Sequence, residues 1–242
     1  MEAKEHKMYV TGDCHGEKAR MLYKKFPYNR DLKEGDILFC CGDWGYISDS
    51  FFLDYLAEKI PYTICWIDGN HENFDLLNEY PVEVWNGGKV HIIRWDNKGI
   101  PKIIHLMRGQ VFNIYETKIF TFGGAYSPDR DKREYKVSWW EEEMPTKEEM
   151  EEGKRNLEAN NYEVDVILSH TLPDAFINPC YPYRIYEKQL NDYLDDVRKS
   201  AQYKHWYMGH MHCDEERGEK HAILWFSVRD LLTGEIIPVD EI

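Results

Sequence analysis

Hydrophobic residues along this chain come in short bursts that end abruptly in polar turns. "KMYVTGD" has the length of a strand and closes on Thr-Gly-Asp. "EKARMLYKKF" follows with helical spacing, which puts Met21, Leu22 and Phe26 on one side. "DILFCCGD" repeats the burst and ends in Gly-Asp. "DSFFLDYLAEKI" reads as a helix capped by Asp49 or Ser50, and "YTICWIDGN" is a third burst that ends in Asp-Gly-Asn. Strands separated by helices predict a largely parallel sheet with crossover helices. In such sheets, sites gather at the carboxyl ends of the strands, where these three polar turns fall.

From about residue 88 the pattern changes. "KVHIIRW", "PKIIHLM", "QVFNIY" and "KIFTFGG" are short and rich in β-formers, which predicts an antiparallel meander. The segment from Ser127 to Asn161 is highly charged, and its second half reads as a helix opened by a Thr146–Glu149 capping box. "VDVILSH" is a buried strand, "YEKQLNDYLDDVRKS" an amphipathic helix, and "KHWYMGHMH" another strand running into a turn. The last segment predicts further strands with a turn at Thr233-Gly234. No repeat, low-complexity linker or domain boundary interrupts the pattern, so residues 1–242 read as a single domain.

Composition narrows the class. The chain has 242 residues, 43% of them hydrophobic and 31% charged, with no apolar run near membrane-spanning length. Its start has no apolar leader, so a cytoplasmic, membrane-free protein is expected. A net charge of −14 repels a phosphate polymer and argues against long nucleic acid as a partner. Cys14, Cys40, Cys41, Cys65, Cys180 and Cys213 form no C-x-x-C pair, so reduced and mostly buried thiols are expected.

Five turns carry metal-type chemistry, each after a strand-like run: "GDCHG" with Asp13 and His15, "GDWG" with Asp43, "GNHE" with Asn70 and His71, "LSH" with His170, and "GHMH" with His210 and His212. Carboxylates, imidazoles and one amide suit borderline or hard divalent ions such as Mn, Fe, Zn or Ni. In extended backbone Asp13-x-His15 and His210-x-His212 each point both side chains the same way, and the adjoining glycines allow close approach. Any one of these turns alone reads as an ordinary polar turn; five in order do not. His91, His105, His205 and His221 have no such context and read as structural.

The series "GDCHG…GDWG…GNHE…SH…GHMH", from Asp13 to His212, resembles the calcineurin-like metallophosphoesterase superfamily. The resemblance implies a four-layer α/β/β/α sandwich of two mixed sheets flanked by helices. It also implies two divalent metal ions, with Mn favoured. Asp13, His15 and His212 would hold the first ion and Asn70, His170 and His210 the second. Asp43 would bridge them, and His71 would be the catalytic histidine. The implied activity is two-metal hydrolysis of small phosphomonoesters, phosphodiesters or nucleotides, with His71 assisting the leaving group. The protein Ser/Thr phosphatase branch has an Asp and an Arg where Tyr46 and Ile47 stand here, and an Arg-Gly where Asp68-Gly69 stands. A phosphoprotein phosphatase is therefore the alternative enzyme, and a catalytically silent metal-binding scaffold the alternative outside enzymes.

Phosphate also needs a positive partner, and "FGGAYSPDRDKREYKVSWWEEE" offers Arg130 and Arg133 among Tyr126, Trp139 and Trp140. Glu72 is read either as a carboxylate supporting the ligands or as an ordinary exposed residue.

Overall fold

A computed structural model describes residues 6–240. Its first strands are β1 (Met8–Thr11), β2 (Ile37–Cys40), β3 (Thr63–Trp66), β4 (Val82–Trp85), β5 (Gly88–Trp95), β6 (Pro101–Leu106), β7 (Gln110–Ile114) and β8 (Thr117–Phe122). The rest are β9 (Val166–Ser169), β10 (His205–Met208), β11 (Glu215–Glu216), β12 (His221–Ile223), β13 (Val228–Asp230) and β14 (Ile236–Ile237). The helices are α1 (Lys18–Leu22), α2 (Pro27–Asp31), α3 (Ser50–Lys59), α4 (Phe74–Leu77), α5 (Lys147–Ala159) and α6 (Arg184–Ser200).

Two mixed sheets form. One has eight strands in the order β14-β13-β1-β2-β3-β6-β5-β4, and the other six in the order β11-β12-β10-β9-β8-β7. Within them β1, β2, β3 and β6 are parallel neighbours, as are β8, β9, β10 and β12.

The period-2 alternation of each strand builds the layers. Met8, Val10, Ile37, Phe39 and Cys65 from the first sheet join Val166, Leu168 and Tyr207 from the second in one buried cluster between the sheets. The intervening Tyr9, Leu38, Cys40, Ile64 and Trp66 face the other way and pack with Leu53 and Leu56 of α3. On the far side Ile167, Trp206 and Met208 pack with Met150 and Leu157 of α5 and with Leu190 and Leu194 of α6. This is the expected α/β/β/α sandwich, and these strands read as continuous apolar runs because both of their faces are covered.

The expected caps form. Asp49 accepts the Phe52 N–H, and Thr146 and Glu149 close a capping box. Gly234 turns β13 into β14 at φ +75°. Two expectations need correction. The helix expected over 17–26 stops at Leu22, and Leu22 is exposed although Met21 and Phe26 are buried. Pro27 restricts Phe26 to extended backbone, so the chain turns and starts α2 instead. The meander from residue 88 is divided between the sheets: β4, β5 and β6 are antiparallel in the first, β7 and β8 in the second. The crossing is made at Met107–Gly109, where Gly109 takes φ +70° and lies against Gly153 of α5.

Candidate metal centre

All five turns leave carboxyl ends of parallel strands. Those after β1, β2 and β3 belong to the first sheet, those after β9 and β10 to the second. The centre therefore lies where the two sheets meet. The backbone ties them there: the His210 N–H donates to both Asp13 carboxylate oxygens at 3.1 Å, and His170 Nδ1 faces the Cys41 carbonyl at 2.7 Å.

One ligand atom from each of Asp13, His15, Asp43 and His212 falls within 4.8 Å of the others. His15 Nε2 and His212 Nε2 are 2.8 Å apart, and His212 Nε2 is 3.3 Å from Asp13 Oδ2. Asp43 Oδ2 is central, 3.8 Å from His15 Nε2, 3.4 Å from His170 Nε2 and 4.0 Å from His71 Nε2. On its other side His170 Nε2 meets Asn70 Oδ1 at 3.1 Å, and the His210 ring packs edge-on against His170. The structure thus brings Asp13, His15, Asp43 and His212 together, sets His170 next to Asp43, and sets Asn70 and His210 next to His170.

The expected extended geometry of the x-spaced pairs is not what brings them together. His15, Asp43, His210 and His212 all have positive φ, from 44° to 67°, a region that costs a non-glycine residue free energy. The neighbouring glycines act as expected through close approach. A Cβ at Gly69 would lie 2.1 Å from Asp43 Oδ1, and one at Gly209 would lie 2.3 Å from Asp13 Oδ1.

The electrostatics favour a cation. Burial works against charge on His170, but Asp43 outweighs it and pushes the imidazole pKa up to about 10. Asp43 is buried too, yet His170, His71 and His15 hold its carboxyl far below the usual range. Two buried carboxylates that draw protons onto imidazoles create a demand for positive charge, which a divalent ion meets. The donor set of nitrogens and oxygens suits a hard or borderline ion, so these residues fit the group.

His71 donates its backbone N–H to Asp43 Oδ1 at 2.7 Å, which holds its imidazole beside the centre. Both ring nitrogens lie 2.9 Å from Arg133 Nη atoms. A guanidinium only donates and a neutral imidazole has one acceptor nitrogen, so one of these contacts is a hydrogen bond and the other is not. Burial, opposed by Asp43 and reinforced by Arg133, brings the His71 pKa down to about 4. Arg130 is placed differently. Its Nε and Nη2 bond to Glu143 Oε1 at 3.0 and 2.7 Å, and its guanidinium lies over the rings of Tyr126 and Trp139.

Tyr46 and Ile47 are buried, and the Tyr46 hydroxyl is spent on the Glu17 carbonyl at 2.6 Å. Glu72 is buried, not exposed, and its Oε1 accepts the Trp44 N–H at 3.0 Å. Cys14 turns away from the centre, its Sγ 3.8 Å from Cys40 Sγ, and all six cysteines are free. His91 and His105 lie outside the centre as expected: His105 Nε2 is 3.2 Å from Asp68 Oδ1, behind the Asn70 turn. Asp68 is also gripped by Arg108 Nε and Nη2 at 2.8 and 2.6 Å. Arg108 beside Asp68, Ser127 bonded to Asn70 Nδ2 and Glu187 3.3 Å from His210 Nε2 were not legible as neighbours of these turns, because each stands far along the chain from its partner. Among the described residues no helix is long and apolar enough to cross a membrane.

The comparisons with known proteins agree with this fold. A family model described as calcineurin-like phosphoesterase matches residues 6–214. A lariat debranching enzyme of Entamoeba histolytica is 23% identical over 88% of this chain and 66% of its own length. The lariat debranching enzyme of Danio rerio is 25% identical over 54% of this chain and 27% of its own. The chain thus spans less than two thirds of the length of either relative. A solved structure titled as a 5'-nucleotidase from Staphylococcus aureus covers 97% of this chain and 54% of that one, with a TM-score of 0.50 and 15% identity, a likeness of fold. The length of the family match, the order of the five turns and their convergence at the meeting of two sheets lead to one conclusion: the chain belongs to the calcineurin-like phosphoesterase family, whose members are hydrolases acting on phosphoester bonds.

Proposed function

We propose that this chain is a metal-dependent phosphodiesterase acting on small or nucleotide phosphodiesters. The observation that carries the reading is the position of Asp43 Oδ2, which faces His15 on one side and His170 on the other. Asp13, His15 and His212 would hold one divalent ion, Asn70, His170 and His210 a second, and Asp43 would serve both, with Mn favoured. When bound, such ions stabilise the phosphoryl oxygens and lower the pKa of water.

The remaining work belongs to the chain. Arg133 presents a planar pair of donors beside His71, a shape that suits phosphoryl oxygens. An anionic phosphoryl group there draws the guanidinium off the imidazole and favours the protonated ring. His71 then holds a proton for the departing ester oxygen. Arg130, engaged with Glu143, supports the loop and does not touch substrate. Relatives named for the debranching of lariats favour a diester over a monoester. Half-buried Trp225, stacked on His212, offers an aromatic face to a base. Burial of Tyr46 and Ile47 speaks against the phosphoprotein alternative.

The test is turnover with added Mn of p-nitrophenyl phosphate, bis(p-nitrophenyl) phosphate, cyclic nucleotides and a phosphopeptide. The diester and cyclic nucleotides are expected to be hydrolysed fastest. Preference for the monoester or the phosphopeptide overturns the reading. No turnover of any substrate with two ions bound makes the chain a silent scaffold.

A further inference from the structure

Two buried carboxylates outside the five turns converge on one half of the centre. Glu143 is wholly buried in the run "WWEEEM". Its Oε2 accepts the Ser127 hydroxyl, and its Oε1 accepts both Arg130 donors. Having spent its hydrogen on Glu143, the Ser127 oxygen accepts Asn70 Nδ2–H at 3.0 Å. An amide so held presents its oxygen the other way, towards His170 and the centre. The Arg130 fork fixes the polarity of this relay, because an anionic Glu143 can only accept. Reversing the amide would set its oxygen against a hydroxyl oxygen with no hydrogen left to give.

Glu187, in the first turn of α6, is also buried. Its Oε1 accepts the Tyr126 N–H at 2.6 Å and lies 3.3 Å from His210 Nε2, and its Oε2 accepts the Thr171 hydroxyl at 3.3 Å. The 3.3 Å contact is not aligned as a hydrogen bond, and His210 Nε2 is otherwise buried without a partner. A carboxylate there still favours the tautomer with hydrogen on Nε2, which leaves Nδ1 with the lone pair. Tyr126 and Ser127 are consecutive, so one short strip of chain joins the two carboxylates. A third bond anchors it, from the Ala125 N–H to the Glu143 carbonyl at 3.1 Å.

We propose that Glu143, through Ser127, and Glu187 are positioning residues for the Asn70–His170–His210 half of the centre, setting the Asn70 amide and the His210 tautomer before any ion arrives. The proposal rests on the ligand roles proposed above. It goes further in making one half of the centre depend on the 125–127 strip and the other half not.

Two measurements on the full chain separate this proposal from the metal assignment. The first is nitrogen-15 NMR of the metal-free protein. His210 is expected as the Nε2–H tautomer in the wild type and displaced from it in Glu187→Gln. The Asn70 side-chain NH2 is expected to exchange slowly in the wild type and fast in Ser127→Ala. A wild-type His210 with hydrogen on Nδ1, or signals that neither variant moves, overturns the proposal whatever the metal content.

The second is calorimetric titration with Mn²⁺. Ser127→Ala and Glu187→Gln should each weaken one ion about 10–100-fold and leave the other unchanged, and Ser127→Thr should restore it. Equal weakening of both ions overturns the proposal. A wild type that binds a single ion while the NMR result holds overturns the two-ion assignment instead.

Discussion

The Nε2 atoms of His15 and His212 lie 2.8 Å apart, one ring from each sheet, with Asp13 Oδ2 in reach of both. Two imidazole nitrogens at that separation either share a proton or share an ion. Mn²⁺ at a hundred times its dissociation constant should stabilise the fold by about 2.7 kcal/mol per site. For a chain of this size that is a rise of roughly 5–10 °C in Tm. Scanning calorimetry with and without chelator reads it, and His212→Ala should abolish the share of the rise that belongs to one site.

His71 and Arg133 should separate in kinetics. His71→Ala is expected to keep its metal and lose about 10²–10⁴-fold in kcat. Arg133→Ala removes a charge-assisted contact of about 1.5–3 kcal/mol and should raise KM roughly 10–100-fold with a smaller change in kcat. Steady-state assays on bis(p-nitrophenyl) phosphate measure both. An Arg133→Ala variant with unchanged KM would remove Arg133 from substrate binding.

Gly209 leaves no room for a side chain, since a Cβ would lie 2.3 Å from Asp13 Oδ1 and 2.6 Å from the Cys41 carbonyl oxygen. Both neighbours are held firmly, so Gly209→Ala must move the turn that carries His210 and His212. The expected outcome is loss of the Mn-dependent rise in Tm. A variant that keeps the full rise shows that the turn adapts.

Asp68 and Arg108 are a buried ion pair behind the Asn70 turn. Arg108→Ala strands the carboxylate and should cost about 3–5 kcal/mol in urea unfolding. Burial works against the Asp68 charge, yet Arg108 and His105 hold its carboxyl well below the ordinary range. A lowered folded-state pKa means that its contribution is complete above the unfolded value of about 3.9 and is lost as pH falls below it. Asp68→Asn should therefore lose stability at pH 7 and show a shallower decline as pH falls below about 4.

The layers and the metal-type residues were legible because both were written locally. Strands such as Met8–Thr11 and Val166–Ser169 are apolar on both faces, each ligand sits in a short turn after a strand, and Asp13, His15, Asp43, Asn70 and His210 adjoin a glycine there. The split of β6 and β7 between sheets was not legible. A turn such as Met107–Gly109 looks the same whether it closes a hairpin or crosses a core. Glu143 was hidden for a similar reason, since one carboxylate in "EEE" reads like its exposed neighbours until Ser127 and Arg130 fold over it. The left-handed backbone at His15 and His212 was also invisible, because these residue types adopt it only where the surroundings impose it.

Asp13 stands on one sheet and accepts the His210 N–H from the other, across the join between the layers. A cation gripped by side chains from both banks would act there as a rivet. Its loss would loosen a mechanical seam as well as empty the candidate centre. Under a pulling force that shears one sheet past the other, the metal-loaded chain should yield at the higher load.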